Sequence, residues 1–511
     1  MEQNLLAVTV SRADFEYDIH SLVKAFYPEC AVKVWQETDV RRQNSAKGYP
    51  QLQITFEEDG IRAELLSQSG EKKTQRMEIP SETPRPEVKN RLKRLLYRML
   101  SEHSARTLPW GTLTGIRPVK IPMQLLDQGK GQEEILNYLE ETYYVSRGKG
   151  LLSLEIAHRE RALLSSLHGQ EGYSLYIGIP FCPTTCLYCS FTSYPIASWK
   201  KRVGEYLGAL EKEIDFVSQH CGDRILDTVY IGGGTPTTLE ADELDRLLGK
   251  LKRSLDFSRV MEFTVEAGRA DSITAEKLKI LKKWGVTRIS VNPQTMKEET
   301  LRLIGRRHTV AQVEEAFHLA REAGFDNINM DLILGLPGED EGDVSNTMKA
   351  LGALCPDSIT IHSLAVKRAS RLNLWLTQGI NPLTDGEKGR ESGQGGTGLS
   401  GGSQRVMEIA SDGARSLGMS PYYLYRQKNM SGNLENVGFA LEGKAGIYNI
   451  LIIEDCQSIV ALGAGSISKR VFGDGRIERC ENVKDVAQYI ERIDEMIERK
   501  RQLLRDCRAD G

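Results

Sequence analysis

The stretch that decides the fold is residues 176–191, YIGIPFCPTTCLYCSF, in which a β-rich run ends in a loop carrying Cys182, Cys186 and Cys189 at C-x3-C-x2-C spacing. Runs of the same texture recur down the chain: SLYIGIP (174–180), DTVYIGG (227–233), MEFTVEA (261–267), RISVNPQ (288–294), NINMDLILG (327–335) and SITIHSL (358–364). They lie about 25 to 55 residues apart, with amphipathic charged segments between, which is room for one helix per interval. Six βα units imply a parallel sheet, either doubly wound or barrel-like. Both forms place ligands at the carboxyl ends of the strands.

Outward from this core the chain is uneven. Residues 1 to about 80 mix alternating stretches (AVKVWQ, QLQITFEEDG) with one helical pattern near Asp18–Ala25, which reads as an α+β unit. From Pro86 to about His168, Val88, Leu92, Leu95, Leu96 and Met99 fall at helical spacing, broken by TLPWGTLTGIRPVKIP. Residues 391–403, ESGQGGTGLSGGS, read as a flexible linker. Beyond them the sequence predicts a helix near Gln404–Leu417, a strand pair from YNILIIED and SIVALGAG, and a final charged helix over about 483–504. The expected division is 1–165, 166–390 and 391–511.

The bulk numbers narrow the function. The 511 residues carry 67 Lys and Arg against 70 Asp and Glu, a formal charge of −3 that gives no global electrostatic case for nucleic acid. No apolar run is long enough to span a bilayer, and MEQNLLAVTVSRADFEYD lacks the layout of a signal peptide, so a cytoplasmic protein without a membrane role is expected. Nine cysteines, an odd number, argue against a disulfide framework and for metal or redox use. Structural zinc wants four closed ligands, and no Cys or His pair stands beside the triad. Three thiolates on a four-iron cube leave one iron open, and S-adenosylmethionine (SAM) chelates such an iron through its amino and carboxylate groups.

The triad resembles that of the radical SAM superfamily, and its surroundings resemble the oxygen-independent coproporphyrinogen III oxidase (dehydrogenase) family, in its HemZ-type branch, over roughly residues 110–475. The resemblance implies a partial (β/α)6 barrel with an α+β N-terminal domain and a C-terminal cap. It implies a [4Fe–4S] cluster on Cys182, Cys186 and Cys189, which also makes them the catalytic cysteines. Tyr176, Tyr188, Gly233, Gly234, Thr235 and Glu266 match contacts to the SAM at the cluster. Gln294, Arg306 and Asp331 match positions that hold a second SAM, and Ala365 and Ile467 are apolar matches to cofactor contacts.

The implied activity takes a hydrogen atom from the β-carbon of a coproporphyrinogen III propionate, releases carbon dioxide and leaves a vinyl group. Two rounds give protoporphyrinogen IX. A tetrapyrrole with four carboxylates calls for cations, of which Arg368 and Arg426 are the chosen candidates. Reduced flavodoxin or ferredoxin is the expected electron donor, and a monomer the expected state. One departure bears on substrate: the family's studied oxidases continue as C-x3-C-x2-C-x-C, and here Phe191 stands at the fourth place. Related haem chaperones share that Phe, but they carry a C-terminal His-Asn-x-x-Tyr signature, and no histidine follows His362.

Overall fold

The computed structural model describes residues 5–39, 49–366, 370–378, 404–427 and 434–505. All six β-rich runs are strands: β1 (Gly172–Ile179), β2 (Ile225–Gly233), β3 (Glu262–Gly268), β4 (Arg288–Val291), β5 (Ile328–Leu334) and β6 (Ser358–Ser363). They pair in parallel in sequence order, each with its successor. Helices fill the intervals and start where capping predicts. Glu240 with Glu243, Thr309 with Gln312, and Asp340 with Asp343 each form a reciprocal capping box that satisfies otherwise orphaned first-turn amides. On the first of these, Ala241–Ser254, Leu244, Leu247, Leu248 and Leu251 are buried, the stripe that seats a helix on a sheet.

The sheet does not close on itself. β6 takes Asn436–Ala440 antiparallel on its free edge, and β1 takes Ser458–Leu462 in parallel. Strands Ile467–Val471 and Ile477–Glu481 continue that side, and Ser420–Tyr425 lies beyond Asn436–Ala440 on the other, giving eleven strands in all. The architecture is the expected α/β one, a partial barrel of six βα units with an α+β region before it and further C-terminal structure after it.

Two sequence expectations need correction. YNILIIED is not a strand: Ile447–Ile453 is a helix, and only Ser458–Leu462 of the predicted pair is extended. The cause is tertiary, because the buried carboxylate of Glu262 accepts from the amides of Ile447 and Tyr448 at 2.5 and 3.3 Å, placing an anion at the helix N-terminus. The final charged helix is two, Val486–Glu491 and Ile493–Leu504, broken at Arg492. The Gly/Ser-rich stretch 391–403 lies outside the described residues.

The described residues of Met1–His158, Gly402–Gln404 and Leu424–Glu435 form one compact unit, and those of Arg159–Gly401, Arg405–Tyr423 and Asn436–Gly511 another. In the first, a five-stranded sheet is covered by helices Glu16–Phe26 and Arg85–Ser104. Leu92, Leu95, Leu96 and Met99 are buried there, as their spacing predicts. Among the described residues no helix is long and apolar enough to cross a membrane.

Candidate functional site

The cysteine loop follows β1 and is pinned from several sides. Leu187 N donates to Ile304 O at 2.9 Å, and Leu372 N to Leu187 O at 2.9 Å. Thr184, between the first two cysteines, donates from Oγ1 to Gly305 O at 3.1 Å and receives Arg269 Nη1 on its carbonyl at 3.0 Å. Leu187, Ile304, Ile333, Leu336, Leu364 and Leu372 pack into one apolar cluster with Tyr188 against it. The backbone therefore presents three free thiols on a braced loop, Cys186 buried and Cys182 and Cys189 half-buried.

Burial pushes the Cys182 thiol up to about 11 and that of Cys189 upward, with the neighbouring cysteines adding to the rise in both. Left alone, Cys182 and Cys189 stay protonated; a bound cation would reverse that by stabilising thiolates. Among the described residues no group of three or more His, Cys, Asp or Glu side chains is gathered as a single metal ion requires. An iron–sulfur cube, whose ligated irons are separate atoms, asks for a wider frame than one ion does.

The glycine run after β2 lies against this loop. Gly233 has φ of +111°, and a Cβ on Gly234 would stand 2.5 Å from the Phe181 carbonyl, so both positions demand glycine. Thr235 is buried with Oγ1 3.5 Å from Cys182 Sγ. From the other side Arg306 reaches in, donating to Tyr188 Oη at 3.2 Å and to Asn292 O at 2.5 Å. Gln294 N donates to Asp331 O at 2.9 Å, which joins the third of the implied SAM positions to the first. The structure thus brings Tyr188, Thr235 and Arg306 to the cysteine loop and Gln294 beside Asp331.

Deeper in the barrel Tyr176, Tyr230 and Tyr448 stack with centroids 4.5 to 6.2 Å apart. Tyr230 Oη donates to Glu266 Oε1 at 2.5 Å. Loss of water pushes the Glu266 carboxyl up to about 7, against the Tyr230 hydrogen bond, and nearby Asp331 adds to the rise. His362 lies 4.0 Å from Asp331, its basicity lowered by burial. Sequence reasoning missed Tyr230, His362 and Tyr448. Tyr230 was findable, since it sits opposite Tyr176 in register; Tyr448 was hidden by the mistaken strand.

Ala365 is half-buried just past β6, and Ile467 is 47% exposed at the start of its strand. Arg368 lies outside the described residues. Arg426 belongs to the first compact unit, buried, and donates to Leu113 O and, at 3.3 Å, to Leu434 O. Those carbonyls take the Nε and Nη1 donors of its guanidinium.

A model of the radical SAM superfamily matches residues 176–351. The oxygen-independent coproporphyrinogen-III oxidase-like protein HemZ of Bacillus subtilis (strain 168) is 41% identical over 421 residues, 81% of this chain and 80% of that protein. The chain belongs to the radical SAM superfamily, in the HemZ-type family. The heme chaperone HemW of the same organism is 42% identical over 195 residues, 38% of this chain and 51% of the chaperone. The solved structure of coproporphyrinogen III oxidase (HemN) from Escherichia coli, a radical SAM enzyme, is 22% identical with a TM-score of 0.49, covering 66% of this chain and 73% of that one.

Radical SAM membership implies a [4Fe–4S] cluster and SAM, and the residues present fit both. The donor set is three thiols on one braced loop. Ser290 Oγ, Asn292 Oδ1, Gln294 Oε1 and Arg306 Nε are buried without a protein partner. Unpaired buried polar atoms cost roughly 1–3 kcal/mol each, so several together mark a place where a polar ligand completes the bonding.

Proposed function

We propose that this radical SAM protein oxidatively decarboxylates coproporphyrinogen III, converting two propionates to vinyl groups without oxygen to give protoporphyrinogen IX. The observation that carries this reading is the polar barrel interior, with its orphaned acceptors, next to the three-thiol loop. The extent of the HemZ likeness, 80% of that relative's length, supports the same branch.

In this reading Cys182, Cys186 and Cys189 hold the cluster. Tyr176, Tyr188, Gly233, Gly234, Thr235 and Glu266 surround the SAM bound to it, and Gln294, Arg306 and Asp331 hold a second. When bound, the cluster and SAM would supply the capacity to abstract a hydrogen atom from the substrate. The chain's part is to exclude water and orient. The apolar cluster around Leu187 and Ile304 shields the loop, and the Glu266 carboxylate would accept from the ribose hydroxyls of SAM. The propionate loses a β-hydrogen atom and carbon dioxide, and its last electron passes to an external one-electron acceptor. Ala365 and Ile467 remain apolar candidates, and Arg368 and Arg426 the candidate cations for substrate carboxylates. The reading keeps reduced flavodoxin or ferredoxin as donor, a cytoplasmic monomer, and domain limits near residues 165 and 390.

A second reading, haem binding and transfer, is favoured by Phe191, 75% exposed where the oxidases continue with cysteine, and by the HemW likeness. One experiment separates the two. Anaerobically reconstituted protein is incubated with SAM, a reductant and coproporphyrinogen III, and vinyl products are expected. SAM cleavage without them overturns the first reading, and stable haem binding by the same sample supports the second.

A further inference from the structure

Two members of the aromatic column inside the barrel, Tyr230 and Tyr448, have no part in the chemistry above, yet they are built onto one of its residues. Tyr230 Oη donates to Glu266 Oε1 at 2.5 Å. The Tyr448 ring lies 4.5 Å from that of Tyr230 at an interplanar angle of 22°, in the stacked geometry aromatic pairs prefer. Tyr448 is itself anchored, because Glu262 accepts from its amide and from that of Ile447. One strand, β3, therefore fixes the brace at its first residue and receives the braced hydroxyl four residues later, at Glu266.

The approach is close enough to exclude a side chain between. A Cβ on Gly232 would stand 2.8 Å from the Tyr230 ring and 3.0 Å from Glu266 Oε1. Burial, with Glu266 beside it, holds the Tyr230 phenol well above its ordinary titration, so it remains a donor at any physiological pH. A glutamate has three rotatable side-chain bonds, and a ligand that must order them loses affinity.

We propose that Tyr230 is a positioning residue for Glu266, with Tyr448 as its brace. One carboxylate oxygen is tied to the phenol so that the remaining lone pairs are set for the vicinal hydroxyls of a ribose. This rests on the reading of Glu266 as a SAM contact.

The test is equilibrium dialysis of SAM, and separately of methionine, against the anaerobically reconstituted protein. Tyr230→Phe removes only the hydroxyl. It is expected to weaken SAM roughly tenfold, the scale of one charge-assisted hydrogen bond, and to leave methionine, which has no ribose, unchanged. Glu266→Gln is expected to weaken SAM at least as much, and adding Tyr230→Phe to it to cost nothing further. Tyr448→Leu, which keeps the phenol but removes its brace, should weaken SAM in the same sense; it carries the test if Tyr230→Phe does not fold. Wild-type SAM affinity in Tyr230→Phe beside a weakened Glu266→Gln overturns the inference, as do additive losses in the double variant. Wild-type affinity in Glu266→Gln instead removes the underlying reading of Glu266, a separately visible result.

Discussion

Two buried polar clusters of the same compact unit are built on opposite terms. Around Glu213, on helix Val203–His220, every bond is to protein: Lys500 Nζ and Tyr489 Oη donate at 2.6 Å, Gly463 N at 2.8 Å and Asn482 Nδ2 at 2.9 Å. Along and just past β4, Ser290, Asn292 and Gln294 each leave a buried polar atom with no protein partner. A closed network fastens elements together and needs nothing more. An open one has bonds left to make, and the fold bears their cost only if something else makes them. The contrast separates structural polarity from receptive polarity, and it can be broken by substitution.

The largest effect belongs to the closed cluster. Lys500 and Glu213 are 1% and 0% exposed at their side chains, so Lys500→Met strands a carboxylate without its counter-ion. We expect a loss of roughly 3–5 kcal/mol in urea unfolding, with part of it recovered when Glu213→Gln is added. SAM affinity of the folded protein should not move. A loss below 1 kcal/mol would mean that the buried pair is not what joins Val203–His220 to the C-terminal helix.

A smaller effect is a pH slope from the open side. Glu266 titrates near 7 in the folded protein against 4.5 ordinarily, raised first by burial and then by Asp331, and held down by Tyr230 and the Gly233 amide. Tyr176 and Tyr448 also face it and stay neutral, raised by burial. His362, beside Asp331, is lowered by burial and so is uncharged already within its usual titration range. The folded state holds the extra proton between 4.5 and about 7. The group's contribution to stability is therefore full below 4.5 and lost as pH rises through about 7, with a slope of at most about 1.4 kcal/mol per pH unit. SAM binding runs the other way, because it needs the carboxylate, and falls as pH drops through about 7. Glu266→Gln should flatten both profiles in unfolding and dialysis series, and an unchanged slope would show that another group carries it.

The same contrast explains what the sequence disclosed. The six barrel strands were legible because each is a short β-rich run closed by turn chemistry, and the cysteine loop because three cysteines at fixed spacing seldom arise otherwise. Gly233 and Gly234 were legible as a run that lets backbones approach. Tyr448 was not, since the apolar stretch around it has strand propensity and becomes a helix only when Glu262, far away in sequence, meets its first amides. Arg426 shows a similar dependence: an arginine in an aromatic-basic stretch looks fully exposed to partners of any kind, but backbone carbonyls of Leu113 and Leu434 take its Nη1 and Nε donors. Pairings across long sequence distance decide whether a polar residue is spent or free, and one-dimensional spacing does not contain them.

The smallest expected change in stability tests the open cluster most directly. Gln294 is 8% exposed, and its backbone is fully used, donating to Asp331 O at 2.9 Å and accepting from Ile333 N at 3.0 Å. Only the side-chain Oε1 is orphaned. Gln294→Met keeps the length of the side chain and removes the unpaired amide. The unfolding free energy without ligand should stay within about 0.5 kcal/mol of wild type or rise, since no bond is lost and a desolvation cost is relieved. Saturating SAM should then stabilise the variant less than the wild type, because the gain scales with RT ln(1 + [L]/Kd) and the amide would have contributed to that affinity. A loss of several kcal/mol without ligand, on the scale of Lys500→Met, would place Gln294 in a closed network and dissolve the distinction between the two clusters.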